Sequence, residues 1–257
     1  ETLKVLPLYT LATLKNPLLQ EGLHADERAT LRAYAAGLSV HGAATFLSPK
    51  LFSLTQMPQE AGVWLDEARW RMMLPLRMPL SANSVQGDDV ALLDDTRMIY
   101  VYCGPQVSPD LLDELFVQVA DQDALLPPSH GAAAATDKGV LVLRTPGADE
   151  PETSLLSRTC AVVAKLRERN QQQQRVHVIC GQAPLGPATE QRYNASTATV
   201  NIRSLDEINL CKRFIDDAMS AASSKHGSTT KTKLPHCMSY VDFLIWAHRQ
   251  ITQQMVQ

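Results

Sequence analysis

The chain has 257 residues, with 24 basic and 27 acidic side chains and a formal net charge of −3. A chain this long suits one large domain or two modest ones and buries about 70% of its unfolded surface, so it needs neither disulfides nor a metal to fold. Apolar residues at 45% and charged residues at 20% exclude a wholly disordered, collagenous or coiled-coil chain; no apolar run is long enough for a spanning helix, and the charge is not the basic footprint of a nucleic-acid binder.

The first residues, ETLKVLPLYTLATLK, lack the basic start and cleavage site of a signal peptide. The chain does not begin with Met, so it is expected to be a piece of a longer protein. LPLYTLATLK is apolar all round, as suits a helix buried against other elements. The Asn16-Pro17 step ends it, because the residue before proline avoids the helical region. Asp26 is the expected N-cap of ERATLRAYAAGL, and Gly37 suits its end. VHGAATFL follows, Ser48-Pro49 turns the chain, and PKLFSLTQMP leads out towards Pro58. Residues 1–60 are expected to close a helical domain, and residues 61–257 to form a second domain.

The second part alternates strand and helix. LPLRMPL at 74–80 is an edge strand by its prolines. Segments 89–95 and 97–103 form a hairpin around Asp94-Asp95-Thr96. Ser108 caps a helix over 108–120, with Pro109 at its first position and Leu111, Leu112, Leu115, Phe116 and Val119 on one face. A helix over 153–169 carries Leu155, Thr159, Val162, Val163 and Leu166. The run Gln171 to Gln174 is a loop, and RVHVICG at 175–181 is a strand. Ser204 and Glu207 form a capping box for a helix reaching 218, with a stripe of Ile208, Cys211, Phe214 and Ile215. The last helix starts at Ser239, with Asp242 three residues on and Val241, Leu244, Ile245, His248 and Ile251 along one face. Every stripe reads as core, and Leu111, Leu115, Phe116, Val163, Leu166 and Ile179 are the expected core residues. Stretches 129–152, 182–203 and 222–236 read as long loops, the first around a short strand GVLVLR and the third disordered.

No catalytic motif is present. There is no G-x-S-x-G elbow, no phosphate-cradling glycine loop and no H-E-x-x-H. The five cysteines, Cys103, Cys160, Cys180, Cys211 and Cys237, include no C-x-x-C pair and read as free, mostly buried thiols. His177 and Cys180 lie three apart on a strand, so they face opposite ways. His236-Cys237 lacks further ligands, and the acid pairs Asp88-Asp89, Asp94-Asp95 and Asp216-Asp217 lack a calcium-loop pattern. Asn194-Ala195-Ser196 is read as an accidental sequon. Residues 61–128 hold four basic against eleven acidic residues, a solvated face before it is a partner surface. No catalytic, cofactor-binding or metal-binding residue is assigned.

Several segments nevertheless resemble a known family. LKVLPLYTLATLKNPLL, DERATL and LSVHGAATFLSPKLFSL resemble the helical-domain end of the cargo-adaptor subunit of the COPII vesicle coat, the Sec-twenty-four family. DDVALLDDTRMIYVYCGPQVSPDLLDELF resembles that family's gelsolin-like domain, where a pattern LLDDG…VG..VSPeLL..LF recurs. LLSRTCAVVAKLRERN with VHVI, LCKRFIDDAMS and MSYVDFLIWAHRQI resemble its following helices and strand. The three long loops depart from the family's short connections.

The resemblance implies an α+β fold: a gelsolin-like domain, a mixed sheet flanked by helices, preceded by the end of an all-α helical domain. It implies a non-enzymatic coat component for cargo selection and coat assembly in transport from the endoplasmic reticulum to the Golgi. The implied partners are a Sec-twenty-three-type coat subunit, cytosolic sorting signals of cargo and SNARE proteins and, indirectly, the coat-recruiting small GTPase. The implied location is cytoplasmic, peripheral on exit sites and vesicles. The family's zinc finger would lie upstream of residue 1, so no cofactor is expected here. No motif maps the cargo-binding residues. Two alternatives stand beside this reading. One is the paralogous subunit that inserts an arginine into the GTPase, for which Arg192 and Arg203 lie on an exposed loop but match no motif. The other is a calcium-controlled, actin-binding gelsolin module.

Overall fold

The computed structural model describes residues 6–19, 24–66, 71–119, 140–171, 173–181, 185, 205–217 and 237–255. Three helices open it: α1 (Leu6–Lys15), α2 (Ala25–Ala36) and α3 (Val40–Leu47). Asn16 ends α1 as expected, its side chain accepting from the Leu18 amide at 3.0 Å. The α2 helix starts one residue before Asp26: its N-cap is His24, which makes no side-chain capping bond. Asp26 instead sits in the first turn, where a carboxylate favours the helix dipole. Ser39 caps α3 by accepting from the Gly42 amide.

Among the described residues, seven strands follow in two sheets. The larger sheet has the order β2-β1-β3-β4-β7, from β1 (Lys50–Ser53), β2 (Arg77–Met78), β3 (Val90–Asp94), β4 (Met98–Cys103) and β7 (Arg175–Cys180). The first four strands pair antiparallel, and β7 pairs parallel with β4. The mixed sheet and the β3–β4 hairpin are as the sequence suggests. The strand β1 is not, because KLFS lies within the segment expected to be helical. Its Leu51 and Phe52 are buried on opposite sides of the sheet, and four apolar-rich residues after a Ser-Pro step carry too little period to separate strand from loop. The expected edge strand over 74–80 shortens to Arg77–Met78, as its flanking prolines cannot donate to a ladder.

The helix expected over 108–120 stops at Leu115. It is α4 (Pro109–Leu115), capped by Ser108, and Phe116 is already extended. Phe116–Val119 forms β5, paired antiparallel with β6 (Val140–Leu143), the GVLVLR strand. Arg144 closes the helix end: its guanidinium donates to the carbonyls of Asp113 and Glu114 at 3.1 Å. Pairing with β6 then holds Phe116–Val119 extended in place of the continued helical period. The long helix α5 (Leu155–Asn170) joins β6 to β7 and ends with Gln171 in the left-handed conformation. Two further helices complete the fold, α6 (Leu205–Cys211) and α7 (Tyr240–Met255). The predicted extension of α6 to 218 is replaced by turns after Cys211 that still bury Phe214 and Ile215. Ser204 and most of the three long loops, apart from 140–152 and Leu185, lie outside the described residues.

Strand alternation sorts two cores. On one face Leu51, Ala91, Leu93, Tyr100, Tyr102 and Ile179 meet Leu11 and Ala12 of α1, Leu210 of α6, and Phe243 of α7. On the other, Phe52, Val90, Leu92, Ile99 and Val101 meet Leu115, Phe116, and Leu156, Val162, Val163 and Leu166 of α5. Five of the six expected core residues are buried, and Leu111 is half-buried. The last helix is a larger departure. Val241, Leu244, Ile245 and Ile251 are all exposed, and Phe243 and Trp246 make the contact. Helical period finds apolar stripes, but this helix has two, and packing covers only the narrower.

Lys15 ties α1 to the far end of the chain. It is buried, and its ammonium donates to the carbonyls of Ile215 and Asp217 at 2.5 Å. Burial lowers its pKa to about 8, against the pull of Asp217 and Asp216. A lysine whose folded pKa lies below its unfolded one favours the fold more as pH rises from about 8 to 10.5. The wild type should therefore gain stability over that window relative to Lys15→Met, read as the difference between their denaturation midpoints. Leu115 has no exposed surface, so Leu115→Ala should cost about 2–5 kcal/mol in denaturant unfolding.

Candidate functional site

The β3–β4 turn organises the polar side of the fold. Asp94 is fully buried at the end of β3. One of its carboxylate oxygens accepts from the Thr96 amide at 3.0 Å and from the Gln174 side-chain amide at 2.8 Å. The Asn170 side-chain amide reaches both oxygens at 3.0 Å. The next residue, Asp95, accepts from the amides of Arg97 and Met98 and pairs with Arg213 at 3.4 Å. Thr96 has φ 69°, a left-handed conformation that costs a β-branched residue energy and persists only when its surroundings fix it. Here they do: its amide is held by Asp94 and its hydroxyl donates to the Asp95 carbonyl. The family pattern LLDDG has glycine at this place, where such a φ carries no penalty.

Outside the turn lies a cleft of about 230 Å³, lined by Thr30, Leu31 and Tyr34 of α2, Arg97 of the turn, and Gln173 and Gln174 before β7. Gln173 also lines a neighbouring hollow of about 480 Å³, with Ala164, Arg167, Glu168 and Gln171 at the end of α5. Burial pushes the Tyr34 phenol up, so it stays protonated. Beside Leu31, the smaller cleft is lined by one guanidinium, a phenol, a hydroxyl and side-chain amides, and the larger hollow adds the Arg167 guanidinium and the Glu168 carboxylate; neither places a nucleophile beside a base. The glutamine run, read from the sequence only as a loop, supplies Gln173 and Gln174 to this surface. Nothing in its composition marked it.

The residues weighed for chemistry are scattered. His177 pairs with Asp206 at 3.4 Å and meets Tyr100 edge-on, on the α6 face, while Cys180 lies on the other face, as alternation requires. Asp89 is buried and accepts from the Ser53 hydroxyl at 2.7 Å, and Asp217 holds the Ser81 hydroxyl and Ala82 amide at 2.7 Å. These carboxylates are engaged in structure. Among the described residues no group of three or more His, Cys, Asp or Glu side chains is placed to hold a metal. Arg192, Arg203, His236 and Asn194 lie outside the described residues. No helix among the described residues is long and apolar enough to cross a membrane.

The architecture is an α+β fold, a mixed sheet with helices on both faces. Over 99% of its length the chain superposes on the human COPII-coat protein Sec24c, with a TM-score of 0.61 and 20% identity, covering 26% of that chain. In sequence it is similar to three Sec24 proteins: Protein transport protein sec24 of Aspergillus niger (28% identity over 116 residues, 44% of this chain and 12% of the relative), human Protein transport protein Sec24C (26% over 118 residues, 45% and 10%), and Arabidopsis thaliana Protein transport protein SEC24 C (29% over 116 residues, 45% and 10%). These similarities bear out the resemblance to the Sec24 family read from the sequence. The matched region spans about a tenth of each curated relative's length. No family model matches.

Asp94→Ala should remove the acceptor for three buried donors and cost about 3 kcal/mol or more. Urea unfolding checks this, with Asp88→Ala, an exposed neighbour, expected within about 0.5 kcal/mol of wild type.

Proposed function

We propose that this chain is part of a Sec24-type subunit of the COPII coat and acts without catalysis. In this reading α1 to α3 are the end of a helical domain, and the sheet with its helices is a gelsolin-like domain. The protein assembles with a Sec-twenty-three-type subunit, is recruited to the endoplasmic reticulum surface through the coat's small GTPase, and helps select cargo bound for the Golgi. The observation that carries it is the coincidence of two similarities, one of fold along almost the whole chain and one of sequence to Sec24 proteins of a fungus, a plant and human. The two hollows, mostly apolar in lining with a few polar side chains, support a binding role, since peptide recognition rests on shape and a few anchors.

The test is recruitment to liposomes by the protein that carries this chain, mixed with a Sec-twenty-three-type subunit and the GTPase loaded with a non-hydrolysable nucleotide. It should float with the liposomes only when both are present, and added alone it should leave GTP hydrolysis unchanged. Flotation that ignores both proteins would contradict the proposal. A tenfold rise in hydrolysis without the second subunit would transfer the assignment to the GTPase-stimulating paralogue.

A further inference from the structure

Cys103 ends β4 and Cys180 ends β7, and the parallel register sets them directly opposite one another. Both point to the face of Ile99, Val101, Val176 and Val178, two and four residues behind them on their strands. Neighbouring strands run about 4.8 Å apart, inside the Cα separation of about 4.4–6.8 Å that a disulfide spans. Both cysteines are free thiols. They differ in access: Cys103 is 2% exposed within the core, whereas Cys180 is open to solvent. Beyond them the strands stay joined, the Gly181 amide donating to the Cys103 carbonyl at 2.8 Å. The coat reading uses neither thiol.

We propose that Cys103 and Cys180 form a dithiol site for exchange with low-molecular-weight disulfides, in which Cys180 takes the adduct and Cys103 resolves it. The Cys180 thiolate attacks one sulfur of a disulfide RSSR. That S–S bond breaks, a mixed disulfide forms on Cys180, and one RS⁻ leaves and takes a proton from water. Cys103 then loses its proton, and its sulfur attacks the Cys180 sulfur. The Cys103–Cys180 bond forms and the second RS⁻ leaves and is protonated. Two protein thiols are oxidised to one disulfide, and RSSR is reduced to two RSH.

The division of roles follows from the environment. The adjacent Cys103 thiol lowers the pKa of the Cys180 thiol against the effect of burial, and the adjacent Cys180 together with burial raises that of Cys103. Cys103 is closed to a bulky disulfide, yet its target sulfur lies beside it. Once Cys180 carries the adduct its negative charge is gone, which removes one of the causes that oppose ionisation of Cys103.

The experiment treats the full chain with glutathione disulfide, blocks remaining thiols with a maleimide, and maps the peptides by mass spectrometry. The wild type should yield a cross-linked Cys103–Cys180 peptide, two hydrogens lighter, with no glutathione retained on Cys180. Cys103→Ala should retain one glutathione on Cys180, and Cys180→Ser should leave Cys103 unmodified. Without oxidant at pH 7, maleimide should label Cys180, the exposed thiol, faster than Cys160, Cys211 or Cys237. A wild type that keeps glutathione on Cys180 while Cys103 is still alkylated would overturn the proposal, as would a Cys180 that glutathione disulfide leaves untouched. The wild-type peptide map decides alone should Cys103→Ala lower stability.

Discussion

The fold depends on a hairpin that is dry on both sides. Val90 to Thr96 is buried without a break, and so is Ile99 to Cys103. A strand covered on both faces needs an almost continuous apolar run rather than an alternating one, and VALL and IYVYC supply it. The constraint is that the connecting turn is also buried, so its polar groups need partners. Asp94 meets this requirement by gathering the Thr96 amide with Asn170 and Gln174. The same contacts fix where α5 ends and where β7 begins. The hairpin thus sets the position of the parallel strand, and with it the register that brings Cys103 and Cys180 together.

The remaining polar chemistry is largely spent on assembly. Lys15 joins α1 to the turns after α6, Asp217 anchors the turn at Ser81, and Arg158 donates to the Pro58 carbonyl at 2.7 Å. That last bond packs the Pro58 segment onto α5. Gly62 is required there: its φ is +78°, and a Cβ would lie 2.7 Å from the Arg158 carbonyl oxygen. What the described surface offers is two hollows beside the turn and an apolar stripe along α7, features that suit binding.

Much of this was legible in the sequence. The β3–β4 hairpin, α5, β7 and the capped start of α7 lie within a few residues of their expected places, because each is bounded by a strong local signal such as Asp94-Asp95-Thr96 or Ser239. Elements decided by tertiary contact were not legible. KLFS is a strand only because β2 and β3 flank it. The helix at Ser108 ends early only because Arg144, far along the chain, caps it and β6 offers a ladder. The α7 stripe was legible as apolar but not as exposed, since periodicity does not say which face is covered. The Gln173–Gln174 lining and the cysteine pair were invisible for one reason. Both depend on the register of β7 against β4, and no C-x-x-C spacing announces a pair separated by most of a domain.

The central claim is that one hairpin belongs to both cores, so that the two faces of the sheet unfold together. Native-state hydrogen exchange tests it directly. The amides of Leu92 and Val101 in the ladder, Val163 on the α5 face and Leu11 on the α1 face should share one opening free energy, equal to that of global unfolding and with the same denaturant dependence. Opening of Leu11 and the α6–α7 face at a distinctly lower free energy, with Leu92 and Val163 still protected, would show two independent cores and contradict the account.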